Sequence, residues 1–432
     1  MKQGWSPSSR SLTWALSALA ILALALGLWI ALLTPWGSYT QAIDPDRLLA
    51  QYFTPAQIQR SEDFHDAVKW PSWLSLSLDL VLALALGFSP IGRRLVDLVR
   101  IRQWRRWWGQ VLILVVSVSL IFRLFTLPVS AWGHRISSDY GLATQTWAEW
   151  AVDVLKSLGI EILLTAAGLL VLVGLARRFR RSWFLPAALT AAAAALAVSF
   201  AYPLLFEPVF NKVTPLSEDR LKSLLVDMAA QDGIEISEVH VADASRRTTA
   251  LNAYVSGIGS TRRIVVYDTL VESAPDREVA LVVAHELGHA DEDDVLIGTG
   301  QAALGAALGA VGLFVLLRWE PLRRPLRVGS AADPAVVPMI MALSVLAGFA
   351  AEPVVNAVSR QIEARADLHS LGLTRDPETF IDVHRRLAVT NLSHLQPNRA
   401  LAFWFSGHPS ALDRIAAAEV WRDASDRPRP LD

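Results

Sequence analysis

A chain of 432 residues with 53% hydrophobic content and a positive mean hydropathy carries more apolar surface than a soluble domain of this size can bury. A formal net charge of −1, with no concentrated basic patch outside the loops flanking apolar runs, argues against nucleic-acid binding. The absence of cysteine excludes a disulfide framework and thiolate metal ligands, and a multi-span membrane protein is the class that remains.

Seven apolar runs of near-spanning length follow in chain order, at about 12–34, 73–91, 110–128, 157–176, 184–206, 296–317 and 335–357. The first follows Lys2 and Arg10, but it exceeds a signal-peptide core and lacks a small-x-small cleavage pattern, so it reads as a retained span. Single charges sit at Asp79, Arg123, Glu161 and Glu352, and such residues normally face protein or water rather than lipid. Basic residues cluster at Arg93, Arg94, Arg100, Arg102, Arg105 and Arg106, at Arg177, Arg178, Arg180 and Arg181, and at Arg318, Arg323, Arg324 and Arg327. All three clusters fall on one side, whereas the alternate loops hold only Arg47, Arg60, Lys69, Arg135 and Lys156. The positive-inside rule then places the N-terminus in the cytoplasm and the segment 207–295 outside.

After the fifth run, Leu221, Leu224, Leu225 and Met228 have helical spacing, with Ser217 expected as N-cap and Gly233 as the stop. Two β-like runs, Glu238 to Ala242 and Arg263 to Asp268, bracket Leu251 to Ser256, with Gly257 and Gly259 at a turn, so a small sheet is expected. An exposed edge at Asn252-Ala253-Tyr254 could hold an extended peptide by backbone hydrogen bonds; the plainer alternative is a structural strand.

His285-Glu286-Leu287-Gly288-His289 comes next, behind Pro275 and the buried-helix pattern of Val279 to Ala284. On a helix, residues four apart share a face, so His285 and His289 could grip one metal ion. Glu286 is turned by about 100° from the first ligand and can reach a water at the open coordination position, which makes it the candidate general base. Catalytic zinc of this kind takes three protein ligands. The best source of the third is the helix-forming stretch Ser359 to Asp367, where Glu363 is chosen and Asp367, four residues on, could bond a ligand imidazole. An ordinary solvated charged face is the alternative there. Nearer the C-terminus, Ser410 can cap a helix that carries Arg414, and His408 or Arg414 could stabilise charge developing on a carbonyl oxygen, although either is more often a surface group. His65, His134, His240, His369, His384 and His394 lack ligand spacing and default to structural roles.

Taken with Phe210-Asn211-Lys212-Val213-Thr214-Pro215-Leu216, Arg262 to Leu270 and His408-Pro409-Ser410, these segments resemble the integral-membrane zinc metallopeptidases related to the type I CAAX prenyl protease. The resemblance implies one Zn²⁺ per chain on His285, His289 and Glu363, with Glu286 as base and Asp367 behind a ligand. It also implies Asn252 at the substrate edge, and His408 and Arg414 as transition-state or substrate-positioning groups. The implied fold is mainly α and polytopic, about seven transmembrane helices around a gluzincin-like zinc peptidase domain with a small β-sheet. Four regions are expected: 1–206 with five spans, 207–295 with the sheet and zinc-binding helix, 296–358 with two spans, and 359–432 completing the site. The implied function is zinc-dependent endoproteolysis of a peptide or membrane-associated protein at the lipid bilayer. In the eukaryotic relatives the peptidase segment faces the cytosol, opposite to the side expected here from the arginines. Two alternatives are a membrane quality-control protease of the heat-shock type, which usually has fewer spans, and a transporter or scaffold with a structural zinc site, which would need a fourth protein ligand.

Overall fold

The computed structural model describes residues 9–42, 44–101, 106–236, 238–256 and 262–425. Lys2, Arg102, Arg105, Gly257 and Gly259 lie outside the described residues. In chain order the helices are α1 (Ser9–Leu33), α2 (Pro45–Tyr52), α3 (Pro55–Phe88), α4 (Pro90–Ile101), α5 (Trp107–Asp139), α6 (Trp147–Arg178), α7 (Phe184–Ala201) and α8 (Glu207–Phe210). The peptidase segment adds α9 (Asp219–Gln231), α10 (Asp268–Ser273) and α11 (Asp276–Asp291). After it come α12 (Asp294–Leu316), α13 (Glu320–Arg323), α14 (Val337–Thr374), α15 (Pro377–Thr390), α16 (Arg399–Phe405) and α17 (Ala411–Ser425).

Seven helical segments among the described residues are long and apolar enough to span a bilayer, and each overlaps one of the expected runs, three of which overshoot their helix by one to three residues: Arg10–Leu33, Pro55–Phe88, Trp107–Asp139, Trp147–Arg178, Phe184–Phe210, Asp294–Leu316 and Pro334–Thr374. The second and fourth begin well before their apolar stretches because side chains satisfy their first amides: Thr54 with Gln57 and Thr146 with Glu149 form capping boxes. The spans pack as neighbours in the order α14, α3, α5, α6, α7, α12, α1. The basic loops meet at one end of this bundle. Arg100 bonds Asp333 at 2.8 Å, Arg177 reaches the Ala332 carbonyl at 3.2 Å and Arg318 reaches Ser11 at 2.8 Å.

At the opposite end a four-stranded sheet is ordered β1 (Val213–Pro215), β2 (Glu238–Ala242), β4 (Arg263–Tyr267), β3 (Ala253–Ser256). β2 and β4 are parallel, and the outer pairs are antiparallel, with Val239 opposite Ile264 and Tyr254 opposite Val265. Asp268 starts α10 rather than ending a strand, and Glu218 rather than Ser217 occupies the N-cap of α9, without a side-chain bond. Ser410 does cap α17, accepting from the Asp413 amide at 3.2 Å. One face of the sheet shares a core with α9 and α11, built from Leu225, Val239, Ile264, Val266, Val283 and Leu287. α11 joins α12 through only Glu292 and Asp293, and Asp293 takes a left-handed turn at φ 51°. α14 runs unbroken through residue 358, so one helix carries both a span and the Ser359 to Asp367 stretch.

The crossing of α11 over α14 needs a residue without a side chain. A Cβ added at Gly288 would lie 3.0 Å from Cβ and Cγ of His369, and Ser370 Oγ donates to the Leu281 carbonyl at 3.1 Å beside it. Gly288→Ala should push the two helices apart and cost about 1–3 kcal/mol, as overpacking typically does. A thermal melt in detergent equal to the parent's would show that the crossing has slack.

Candidate metal centre

The crossing places His285 and His289 on α11 against Glu363 on α14. The two Nε2 atoms are 3.2 Å apart, His285 Nε2 is 3.3 Å from Glu363 Oε2, and His289 Nε2 is 3.7 Å from Glu363 Oε1. Four ligands held tetrahedrally at about 2.0–2.1 Å from zinc sit about 3.3 Å from one another, so the spacing fits. Tautomers decide the rest. His289 Nδ1 bonds Asp294 at 2.9 Å, and His285 Nδ1 lies 2.9 Å from Asp367 Oδ1 in an ion-pair contact rather than an aligned hydrogen bond. With a proton drawn to each Nδ1, both Nε2 atoms would turn lone pairs to the same point as a carboxylate oxygen, the arrangement that holds a metal cation. Burial alone would lower the His285 pKa, but Asp367 and Glu363 override it and raise it to about 10.

Arg414 sits behind the acids, with Nη2 3.0 Å from Glu363 Oε2 and Nη1 2.9 Å from Asp367 Oδ1. Its side chain is 12% exposed, and its donors are committed to these two carboxylates and to His408 Nδ1 at 3.3 Å. His408 also approaches Glu363 Oε2, at 2.9 Å, but is 68% exposed at the mouth of the cavity. Glu286 lines that cavity; burial pushes its pKa up, and the Val255 backbone of β3 hydrogen-bonds it. The cavity, about 780 Å³, takes in all three metal-facing residues, Asn252, His408 and Arg414. Of the proposed edge, Asn252 is exposed in the cavity, Ala253 is buried in the core, and Tyr254 turns away to hydrogen-bond Glu207.

Several residues that sequence spacing did not single out belong to this assembly. Asp294, five residues beyond His289, orients that imidazole and is itself held by Arg365 at 2.5 Å. Tyr39, from the loop after α1, lines the cavity, bonds Asp413 at 3.2 Å and accepts its place from Gln361, which receives the Gly37 and Tyr39 amides. Burial and the Asp413 carboxylate push the Tyr39 hydroxyl up to about 12. His384 also lines the cavity, 3.9 Å from Asp367. Only the proximity of Asp294 to the motif left a trace in the sequence.

Residues 215–422 match peptidase family M48, and residues 38–212 match the family described as CAAX prenyl protease N-terminal, five membrane helices. The chain is 30% identical over 379 residues to the metalloprotease YhfN of Bacillus subtilis, covering 87% of this chain and 89% of that protein. This chain belongs to peptidase family M48. It is also similar to CAAX prenyl protease 1 of Saccharomyces cerevisiae, 26% identical over 327 residues that cover 70% of each chain. Its fold is that of Ste24p of S. mikatae, with a TM-score of 0.77 at 20% identity over 94% of this chain and 99% of that one. The protein is a multi-pass membrane metalloprotease, and its family implies a metal and peptide substrates.

Burial lowers the His384 pKa from 6.5 to about 3, with the Arg414 charge adding to the effect. The unfolded chain therefore takes up a proton near pH 6.5 that the folded protein refuses until about pH 3, so stability is constant above 6.5 and falls between the two values. At pH 5 this group alone should cost about 2 kcal/mol relative to neutrality. Unfolding measured from pH 8 to pH 5 should be less acid-sensitive in His384→Gln; an unchanged slope would mean that His384 is not neutral in the fold.

Proposed function

We propose that the chain is a zinc endopeptidase that cuts peptides presented at the membrane surface, with one zinc ion per chain on His285, His289 and Glu363. The observation that carries this is the convergence of two Nε2 lone pairs and a carboxylate, each imidazole tied from behind by an aspartate. Zinc bound there would supply Lewis-acid polarisation of the scissile carbonyl and lower the pKa of water. Glu286 takes a proton from the attacking water onto its carboxylate and delivers it to the leaving amine nitrogen. His408, exposed in the cavity, offers an N–H to the developing oxyanion. Arg414 and Asp367 act as positioning residues for Glu363 and His285. Asn252 stands where an extended substrate would run along β3, whose Val255 backbone also holds Glu286.

The arginine-rich end is cytoplasmic on this proposal, and the metal centre faces outward. Whether the substrates resemble those named for the CAAX prenyl proteases depends on the lipid groups available on that side. Engineered Glu286→Gln should keep one zinc per chain by elemental analysis and lose at least about a thousandfold in kcat, the scale expected when a base is removed from a hydrolytic site. A fully active variant would refute the mechanism. Because the chain has no cysteine, single cysteines report topology cleanly. In intact cells, Asp382→Cys on the site side should react with a membrane-impermeant maleimide and Arg324→Cys should not; the reverse labelling would invert the orientation.

A further inference from the structure

His408 belongs to no helix or strand: it lies in the coil between α16 and α17, with its side chain exposed at the cavity mouth. A group that donates to an oxyanion must be in place before the charge develops, since orienting it during the reaction consumes the stabilisation it offers. α16 is too short to hold that coil by itself. It has seven residues, none of them buried, and a helix end leaves carbonyls to be satisfied from outside. Two donors on α14 satisfy them. Arg360 Nη1 reaches the Ala402 oxygen at 3.1 Å and the Ser406 oxygen at 2.5 Å, and Asn356 Nδ2 donates to the Trp404 oxygen. Gly407 then lies against the same helix, where an added Cβ would come within 3.3 Å of Ser359 Oγ and 3.4 Å of Asn356 Oδ1.

Arg360 is 8% exposed, and among the described residues no carboxylate lies within ion-pair distance of it. Its guanidinium is spent on backbone carbonyls and packs 5.9 Å from the centre of the Tyr39 ring. Burying a cation without a counter-charge is costly, so the backbone it holds has to matter. Asn356, Arg360, Glu363 and Asp367 recur at i, i+4, i+7 and i+11, which puts all four on one face of α14. The helix that brings a carboxylate to the metal centre therefore also carries the tether for the coil. On the other side of His408, Arg414 of α17 bonds Glu363 and Asp367. His408 is thus fixed relative to Glu363 from both chain directions.

Resting on the peptidase reading above, with His408 as donor to the oxyanion, we propose that Arg360, assisted by Asn356, is a positioning residue for the hydrolysis. It acts on the reaction through His408, by fixing the backbone of residues 402–407 to the helix that carries Glu363. Losing it leaves metal binding and ground-state peptide binding in place and weakens the hold on the transition state alone.

A double-mutant cycle on a fluorogenic peptide tests this. His408→Ala should lower kcat about a hundredfold and Arg360→Gln about tenfold, each with KM within about twofold of the parent and one zinc per chain by elemental analysis. The combined variant should be slower than His408→Ala by no more than about twofold, whereas independent sites would multiply to about a thousandfold. Arg360→Lys, which keeps a donor for the carbonyls, should recover most of the activity. Asn356→Ala is a milder second probe: about threefold alone, and no effect when His408 is already alanine. A phosphinic peptide, whose tetrahedral P–O⁻ imitates the oxyanion, should bind Arg360→Gln about tenfold more weakly, in step with kcat. Losses that multiply in the combined variant, a loss confined to KM, or full activity in either Arg360→Gln or His408→Ala overturns the proposal. A parent that cuts no peptide, while phosphinic-peptide binding still shows the coupled losses, would count against the peptidase reading alone.

Discussion

Everything at the metal centre depends on how closely α11 and α14 cross. Two histidines one turn apart bring two lone pairs together, but the third must come from a helix more than seventy residues later, and it arrives only if the backbones nearly touch. Gly288 allows that approach under His369, and Ser370 bonds the Leu281 carbonyl beside it. The apolar surface of Val283, Ala284 and Leu287 then holds α11 against the sheet from the other side. The same crossing collects buried charge that must be paired to be tolerated. Glu363 and Asp367 share Arg414, and Asp294 is held by Arg365. These pairs fix where the carboxylates point, and through them the imidazoles.

Membrane and hydrolytic parts are joined rigidly at this place. α11 passes into α12 through the left-handed Asp293, and α14 is continuous from its membrane-spanning part to Asp367. Two of the three metal-facing residues therefore sit within about two and a half turns of the entry to a span, and the third is on a helix that is itself a span. The loop after α1 returns to the same end, where Tyr39 and the Ala42 amide bond Asp413.

The apolar runs were legible because lipid imposes a composition and a length on any helix that crosses it, and all seven recur as helices here. Their true starts were not, because capping groups such as Thr54 and Gln57 extend a helix into polar sequence. The metal-binding pair was legible for a similar reason: a helical repeat puts His285 and His289 on one face whatever surrounds them. Glu363 was a choice among acids until α14 was seen to cross α11. The ends of the small sheet were less readable, since Ser217 has the chemistry of a cap while Glu218 occupies the position.

What the sequence by itself determined is what local periodicity and composition control: a seven-span membrane chain, a helix with two imidazoles on one face, and a basic end opposite it. What only the tertiary structure decided is which distant acids serve those imidazoles, that Asp294 stands behind His289, that Tyr254 faces Glu207 rather than the cavity, and that Arg123 and Glu161 meet. The physical reason is that such pairings are set by helix crossing and burial, which bring together residues whose separation along the chain carries no signal.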